Sequence, residues 1–166
     1  MLVACAASDR SAEQAGPDVA QLAIDVHRDH GWAAIRAERY EEAASYFQRI
    51  LKDRPDDHQA HLGLGEAYLG QGRLAEALSQ FTKLDSQARA AERARALQGQ
   101  GIVFLRQGEQ QEALASLERA IRQDGGLWRS WNALGRLHDA EKDYAKARKA
   151  YRKAIALSPK AAFLHN

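Results

Sequence analysis

The 166-residue sequence contains one cysteine, three prolines and no run of 18 consecutive apolar residues. A single cysteine excludes an intramolecular disulfide. Without a long apolar run, the sequence offers no candidate for a membrane-spanning helix. The small number of prolines and the dispersed glycines argue against a long disordered segment. These absences favour a folded chain without disulfide bonds.

Charge and aromatic content are also low. The formal net charge is +2 and aromatic residues make up 7% of the chain, whereas a nucleic-acid-binding protein normally carries a concentrated basic face with stacking aromatics. No nucleic-acid partner is therefore expected. Apolar residues account for 45% of the chain, which is enough for one compact or solenoidal domain. Because strand-like alternation is missing, the pattern predicts an all-α chain.

Three columns of residues recur along the chain in steps of 34, 36 and 34 residues. Small residues at helix crossings let two backbones approach closely, and a large side chain can fill the space between successive hairpins. The two extra residues of the middle step are expected in the loop near Ser86 to Arg93. The columns are Gly31, Gly65, Gly101 and Gly135; Ala43, Ala77, Ala113 and Ala147; and Phe47, Phe81, Leu117 and Tyr151.

Residues 64–84 read as two amphipathic helices joined by a turn at Gly70-Gln71-Gly72. A helix-turn-helix unit that repeats every 34 residues is typical of the tetratricopeptide repeat. The sequence resembles that family at Leu64-Gly65, Tyr68, Gly72, Ala77 and Phe81, and again at Leu134-Gly135, Ala147, Tyr151 and Pro159. The resemblance implies an all-α, right-handed superhelix, an α-solenoid of about four helix-turn-helix repeats with the start of a fifth.

The expected organisation is a flexible leader over residues 1–17 followed by a repeat domain over residues 18–166. Pro55 and Pro159 stop the second helices of their repeats. A solenoid normally ends on a helix with a polar outer face, so we expect native residues to follow Asn166. The repeats are expected at about 18–57, 58–93, 94–127 and 128–161, with a partial fifth at 162–166.

Two glycine motifs and two histidine pairs have competing interpretations. Gly63-Leu64-Gly65 and Gly99-Gln100-Gly101 look like phosphate-binding loops, but no strand precedes them and their last glycines belong to the repeat column. Two i,i+3 histidine pairs could hold a metal, yet His27 and His61, one from each pair, lie 34 residues apart at equivalent positions. Packing is favoured in both cases. Since serine, histidine and acidic residues show no nucleophile arrangement, we expect no enzyme activity, metal or cofactor.

The first helix of each stacked repeat lines the concave side, where its outward positions would form a groove. The C-terminal half of this groove is rich in arginine, and two amides in it can hydrogen-bond an extended peptide backbone. An acidic or carboxylate-bearing peptide is the predicted ligand, and an ordinary solvated face is the alternative. The predicted groove residues are Arg28, Arg36, Arg95, Gln98, Arg106, Arg129, Asn132 and Arg136.

The segment Leu2-Val3-Ala4-Cys5-Ala6 resembles the lipobox of bacterial lipoproteins, in which cleavage leaves an N-terminal cysteine that carries acyl chains. The resemblance implies lipidation at Cys5. An alanine after the cysteine, rather than an aspartate, resembles lipoproteins sorted to the outer membrane, which would place the repeats in the periplasm. A secretory signal needs a basic start and 7 to 15 apolar residues, but four residues precede Cys5. Either the start is truncated, or the match is accidental and Cys5 is an ordinary exposed cysteine.

Four stretches together resemble the TadD family, the repeat lipoproteins of tight-adherence (Flp) pilus assembly systems. The resemblance implies a non-enzymatic, pilotin-like scaffold on the periplasmic face of the outer membrane that helps the pilus secretin to localise or multimerise. It also implies a secretin or another pilus-assembly component as partner, with membrane contact through an N-terminal lipid anchor alone. The four stretches are the lipobox-like segment, residues 98–101 with their register shift, residues 127–136 and residues 162–166.

Two other functions are compatible with the sequence. One is a periplasmic repeat adaptor for another envelope machine, such as a type IV pilus pilotin or a cell-wall hydrolase scaffold. The other is a cytoplasmic co-chaperone or regulatory module in which Cys5 has no role. An apolar signal segment encoded upstream of Leu2 would exclude the cytoplasmic function.

Overall fold

A computed structural model describes residues 19–84 and 87–159, and α-helices are the only regular structure in these two ranges. The all-α prediction is confirmed for this part of the chain. None of these helices is long and apolar enough to cross a membrane. The leader with Cys5 and the expected partial fifth repeat lie outside the described residues. The helices are α1 (Val19–Arg36), α2 (Tyr40–Asp53), α3 (His58–Gly70), α4 (Leu74–Phe81), α5 (Ala90–Gln107), α6 (Gln110–Gln123), α7 (Trp128–Ala140) and α8 (Tyr144–Leu157).

Consecutive helices pair into four hairpins, and each hairpin stacks on the next. The first helices also contact one another across repeats, α1 with α3, α3 with α5 and α5 with α7. Within the described ranges, no comparably close backbone contact joins α2 to α4, α4 to α6 or α6 to α8. Because the first helices lie closer together than the second helices, they line the inner side of the curved stack.

Each large side chain of the repeat columns packs against the glycine of its own hairpin. A Cβ atom added at Gly31 would lie 2.7 Å from the Phe47 ring, and one added at Gly63 in the next hairpin would lie 2.2 Å from the same ring. The Phe81 ring is held in the same way between a glycine of its own hairpin and Gly99. Both rings are fully buried. The predicted columns are therefore confirmed, and both glycine motifs serve packing.

The turn inside each hairpin uses a residue in the left-handed region of backbone space. Sequence analysis identified such a turn at Gly72, where φ is +78°, and Gly108 has a φ of +83°. The equivalent residues of the first and last hairpins are Glu38 at +58° and Lys142 at +62°. A residue with a Cβ atom in this conformation costs about 1–2 kcal/mol relative to the right-handed helix. The fold therefore requires the same turn in all four hairpins even where glycine is missing.

Helix α5 begins at Ala90, four residues before the position expected from the repeat columns. The Glu92 side chain accepts a hydrogen bond from the Arg89 backbone N–H at 3.0 Å, which closes the first turn early. In the preceding hairpin, α4 has 8 residues, whereas α2 has 14. The two extra residues of the middle step therefore accompany a shorter α4 and an earlier start of α5.

We expect Gly63→Ala to lower the free energy of unfolding by about 1–3 kcal/mol, because the new methyl group would displace the fully buried Phe47 ring. The gain in helix propensity, about 1 kcal/mol, is smaller than this packing cost. Urea unfolding followed by far-UV circular dichroism measures the change.

Gly125→Ala is the matched control, since the nearest atom to its added Cβ is the Ile121 carbonyl oxygen at 3.8 Å. Its free energy of unfolding should change by no more than about 0.5 kcal/mol. Equal unfolding midpoints for the two variants would contradict the close approach at Phe47.

Candidate functional site

The eight predicted groove residues all lie on first helices, as expected. Arg28 and Arg36 belong to α1; Arg95, Gln98 and Arg106 belong to α5; and Arg129, Asn132 and Arg136 belong to α7. The structure divides them into two groups. Four bind other repeats through their side chains, and the other four are exposed or half-buried on the inner side of the stack.

Arg28 connects α1 to the start of α3. Its Nη1 donates to Asp25 Oδ1 at 2.6 Å and its Nη2 donates to Asp57 Oδ2 at 2.9 Å. The other oxygen of Asp57 accepts from the Ala60 backbone N–H at 2.9 Å and caps α3. A hydrogen bond from Gln21, with help from Arg28, lowers the pKa of Asp25. The Arg28 side chain is 19% exposed, so it is chiefly a structural cation.

Arg95 spans the inner surface from α5 across α3 to α1. Its guanidinium forms a salt bridge with Glu66 on α3. The same guanidinium carbon lies 4.6 Å from the centre of the Trp32 ring on α1, within the range of a cation–π interaction. One side chain thus joins three successive repeats, and its charge is already balanced.

Arg106 and Gln98 also bind neighbouring repeats. Arg106 Nη1 donates to the Leu69 carbonyl near the end of α3 at 2.7 Å. Gln98 is buried, and its side-chain oxygen accepts from Ser130 Oγ on α7 at 3.2 Å. The peptide-binding role expected for the Gln98 amide oxygen is therefore replaced by a bond between repeats.

The exposed cations of the groove lie mainly on α7. Arg129 and Arg136 are exposed and Asn132 is half-buried, at the spacing i, i+3 and i+7 that places all three on one helix face. The Arg129 guanidinium lies 5.6 Å from the centre of the adjacent Trp128 ring. On α1, Arg36 is also exposed. We call Arg129, Asn132 and Arg136 the α7 face.

Sequence analysis did not identify the partners that neutralise the groove arginines. Glu66 and Asp57 are the main examples, and both lie 29 residues from the arginine that they bind. The acidic side chain of Glu66, at an inner position of α3, was the available signal. A column comparison aligns equivalent positions but does not pair residues on different helices, so the contact was missed.

An open cleft of about 430 Å³ lies at the N-terminal ends of α3 and α5. It combines carboxylates and arginines, and two of its carboxylates are bound by Arg28 and Arg89. Its charge is therefore largely balanced. The cleft is lined by Arg28, Asp56, Asp57, His58, Gln59, Gln87, Arg89 and Glu92.

His61, one of the repeated histidines, is buried between α3, α4 and the loop before α3. Its Nε2 donates to the Pro55 carbonyl at 2.7 Å, and its Nδ1 lies 2.8 Å from the Gln80 side-chain amide. His27 packs against Tyr46 with 5.8 Å between the ring centres. Both histidines thus contribute to packing between helices.

Several solved structures share this architecture. TTC0263, a thermophilic tetratricopeptide repeat protein in Thermus thermophilus, is 22% identical, with a TM-score of 0.71 over 82% of this chain and 75% of that chain. A MamA crystal structure is 24% identical, with a TM-score of 0.63 over 84% of this chain and 75% of that one. MamA from Desulfovibrio magneticus RS-1 is 20% identical, with a TM-score of 0.65 over 82% and 76%. These similarities show the fold.

A search of curated proteins found no match. The family model for the tetratricopeptide repeat matches residues 28–94, 84–127 and 99–162. These stretches cover most of the chain and contain the glycine columns and the four hairpin turns. The chain therefore belongs to the tetratricopeptide repeat family and is built as a scaffold for binding other proteins.

Proposed function

We propose that this chain is a TadD-type scaffold of a tight-adherence (Flp) pilus assembly system, held at the periplasmic face of the outer membrane through acylated Cys5. In this role it binds an acidic segment of the pilus secretin, or of another assembly component, and helps the secretin to localise or multimerise. The observation that carries the binding step is the exposed α7 face. The pilus assignment rests on the sequence resemblance, since the similarity to MamA and TTC0263 concerns the fold alone.

The spacing of the α7 face suits an extended ligand. Arg129 and Arg136 are seven residues apart, about 10 Å along a helix that rises 1.5 Å per residue. An extended peptide covers about the same distance in three residues. Carboxylates at positions i and i+3 of such a peptide could therefore each meet one arginine. Asn132, between the two arginines, can donate to and accept from the peptide backbone.

The rest of the groove contributes less positive charge. Glu66 balances Arg95, and Arg106 donates to a backbone carbonyl of α3. Beside these arginines, Ile102 and Leu105 of α5 are half-buried and can contact an apolar ligand side chain. We therefore expect the acidic part of the ligand to lie over α7 and an apolar part to lie over α5.

A stable membrane anchor requires more than one acyl chain or a chain combined with another membrane signal, because a single chain binds a bilayer only marginally. The N-terminal cysteine of a processed lipoprotein carries several acyl chains, so Cys5 would be a sufficient anchor. The groove would then bind its partner close to the membrane in which a secretin assembles.

Charge reversal on the α7 face, Arg129→Glu with Arg136→Glu, should reduce capture of the secretin from envelope extract at least tenfold, because two attractive contacts become repulsive. The immobilised protein is incubated with extract from a bacterium that carries the pilus system, and the secretin is quantified by mass spectrometry. Capture by the unmodified protein should fall at high salt, since exposed charges are screened.

The matched control reverses two exposed arginines of α6, Arg119→Glu with Arg122→Glu, which changes the net charge equally on a second helix. This control should capture as much secretin as the unmodified protein. Equal capture by the α7 variant would reject the groove, and capture of cell-wall hydrolases or cytoplasmic chaperones in place of a secretin would reject the pilus role.

Lipidation is tested by labelling the product of the full-length gene with a radioactive or alkyne fatty acid. The unmodified protein should carry the label and fractionate with the outer membrane, and Cys5→Ser should lose the label. Ala6→Asp should keep the label but move to the inner membrane, because aspartate at this position resembles inner-membrane lipoproteins. Label on the Cys5→Ser form would disprove acylation at this residue.

A further inference from the structure

The last helix of the described chain, α8, exposes several large apolar side chains. Tyr144 is 63% exposed, Ile155 is 50% exposed and Leu157 is 39% exposed. In the other hairpins, the equivalent side of the second helix packs against the first helix of the next hairpin. Within residues 19–84 and 87–159, no helix covers this side of α8.

The contact between α2 and α3 shows what fits on such a surface. The Phe47 ring of α2 meets Gly63 of α3, and the Tyr40 ring meets Gly70, where an added Cβ would lie 2.4 Å away. The two glycines are seven residues apart, so they lie on one face of α3. A helix that covers this surface therefore needs small residues at positions i and i+7.

Helix α8 repeats the same apolar surface. Tyr144 and Tyr151 occupy the positions of Tyr40 and Phe47, and Ile155 occupies that of Leu51, in each case 104 residues further along. Tyr151 packs on Gly135 of its own hairpin, where an added Cβ would lie 2.5 Å from the ring. Its other side has no counterpart of Gly63 among the described residues, and Tyr151 is half-buried where the equivalent phenylalanine is fully buried.

The charge of α8 differs from that of α2. The helix contains five cationic residues and no acidic residue. Two of the cations stand where α2 faces α3: Arg148 replaces the buried Ala44, and Arg152 replaces Gln48, which donates to the Tyr68 hydroxyl of α3 at 3.0 Å. A helix that covers α8 in the same way must therefore present carboxylates to these two arginines.

A second copy of this chain does not fit the surface through its own exposed first helix. At the positions of Gly63 and Gly70, α1 carries Asp29 and Arg36. Any Cβ at the first of these positions would collide with the ring beneath it, as the 2.2 Å distance at Gly63 shows. The occupant must therefore be a helix of different sequence.

We propose that α8 is a docking surface for an acidic amphipathic helix of a partner protein. The helix places a small residue over Tyr151 and another, seven residues later, over Tyr144. Its carboxylates pair with Arg148 and Arg152. This surface is built on a second helix and is separate from the groove, so it could bind a second partner while the groove is occupied.

The first test uses a synthetic helix with the sequence of α3, residues 58–70, and the change Tyr68→Glu, which places a carboxylate opposite Arg152. A hydrocarbon staple on the side away from the glycines keeps the peptide helical, because an isolated helix of this length is marginal in water. Fluorescence anisotropy should show saturable binding to the unmodified protein. Arg148→Glu with Arg152→Glu should weaken binding at least tenfold, a loss of about 1.4 kcal/mol. The control Arg119→Glu with Arg122→Glu should bind normally.

The second test changes only the peptide, so it does not depend on the folding of a protein variant. Adding Gly63→Leu to the same peptide keeps its charge but fills the position over Tyr151, and binding should weaken about tenfold. Equal binding of the two peptides, or no binding by either, would overturn the proposal. Self-association of the protein in sedimentation experiments that is abolished by Arg148→Glu with Arg152→Glu would also overturn it, because a second copy would then cover α8.

Discussion

The close approach of a large side chain to two glycines is the contact on which the rest of the structure depends. Phe47 is enclosed by Gly31 of its own hairpin and Gly63 of the next, and Phe81 is enclosed in the same way. One ring therefore sets both the packing within a hairpin and the packing between hairpins. Since protein interiors leave little free volume, a single methyl group at either glycine disturbs two interfaces at once.

This packing determines which charges can act on a ligand. It brings the first helices together on the inner side, where long side chains from different repeats meet. Arg95 reaches Glu66 on α3 and Trp32 on α1, and Arg28 reaches the cap of α3. Partly buried pairs of this kind stabilise the stack but are no longer available to a ligand. The exposed cations that remain are concentrated on α7 and α8, in the C-terminal hairpin.

Two surfaces of that hairpin are thus suited to acidic partners of different shape. The α7 face offers two arginines and an amide at the spacing of an extended peptide. Helix α8 offers tyrosine rings that a flat, small-residue helix could cover. A scaffold that assembles a multi-subunit pore would benefit from binding two segments at once, since linked contacts raise the effective affinity.

The sequence by itself determined the hairpin period, the glycine columns and the turn at Gly72, because each depends on residues close in the chain or on a repeated spacing. It also placed every groove candidate on a first helix. Only the tertiary structure decided that Gln98 is buried against Ser130, that Arg95 is balanced by Glu66 and that α5 begins at Ala90. Such contacts join helices about 30 residues apart, and they depend on how far one hairpin is rotated and shifted on the next. Side-chain length and local packing set that geometry, and no single column of the sequence records it.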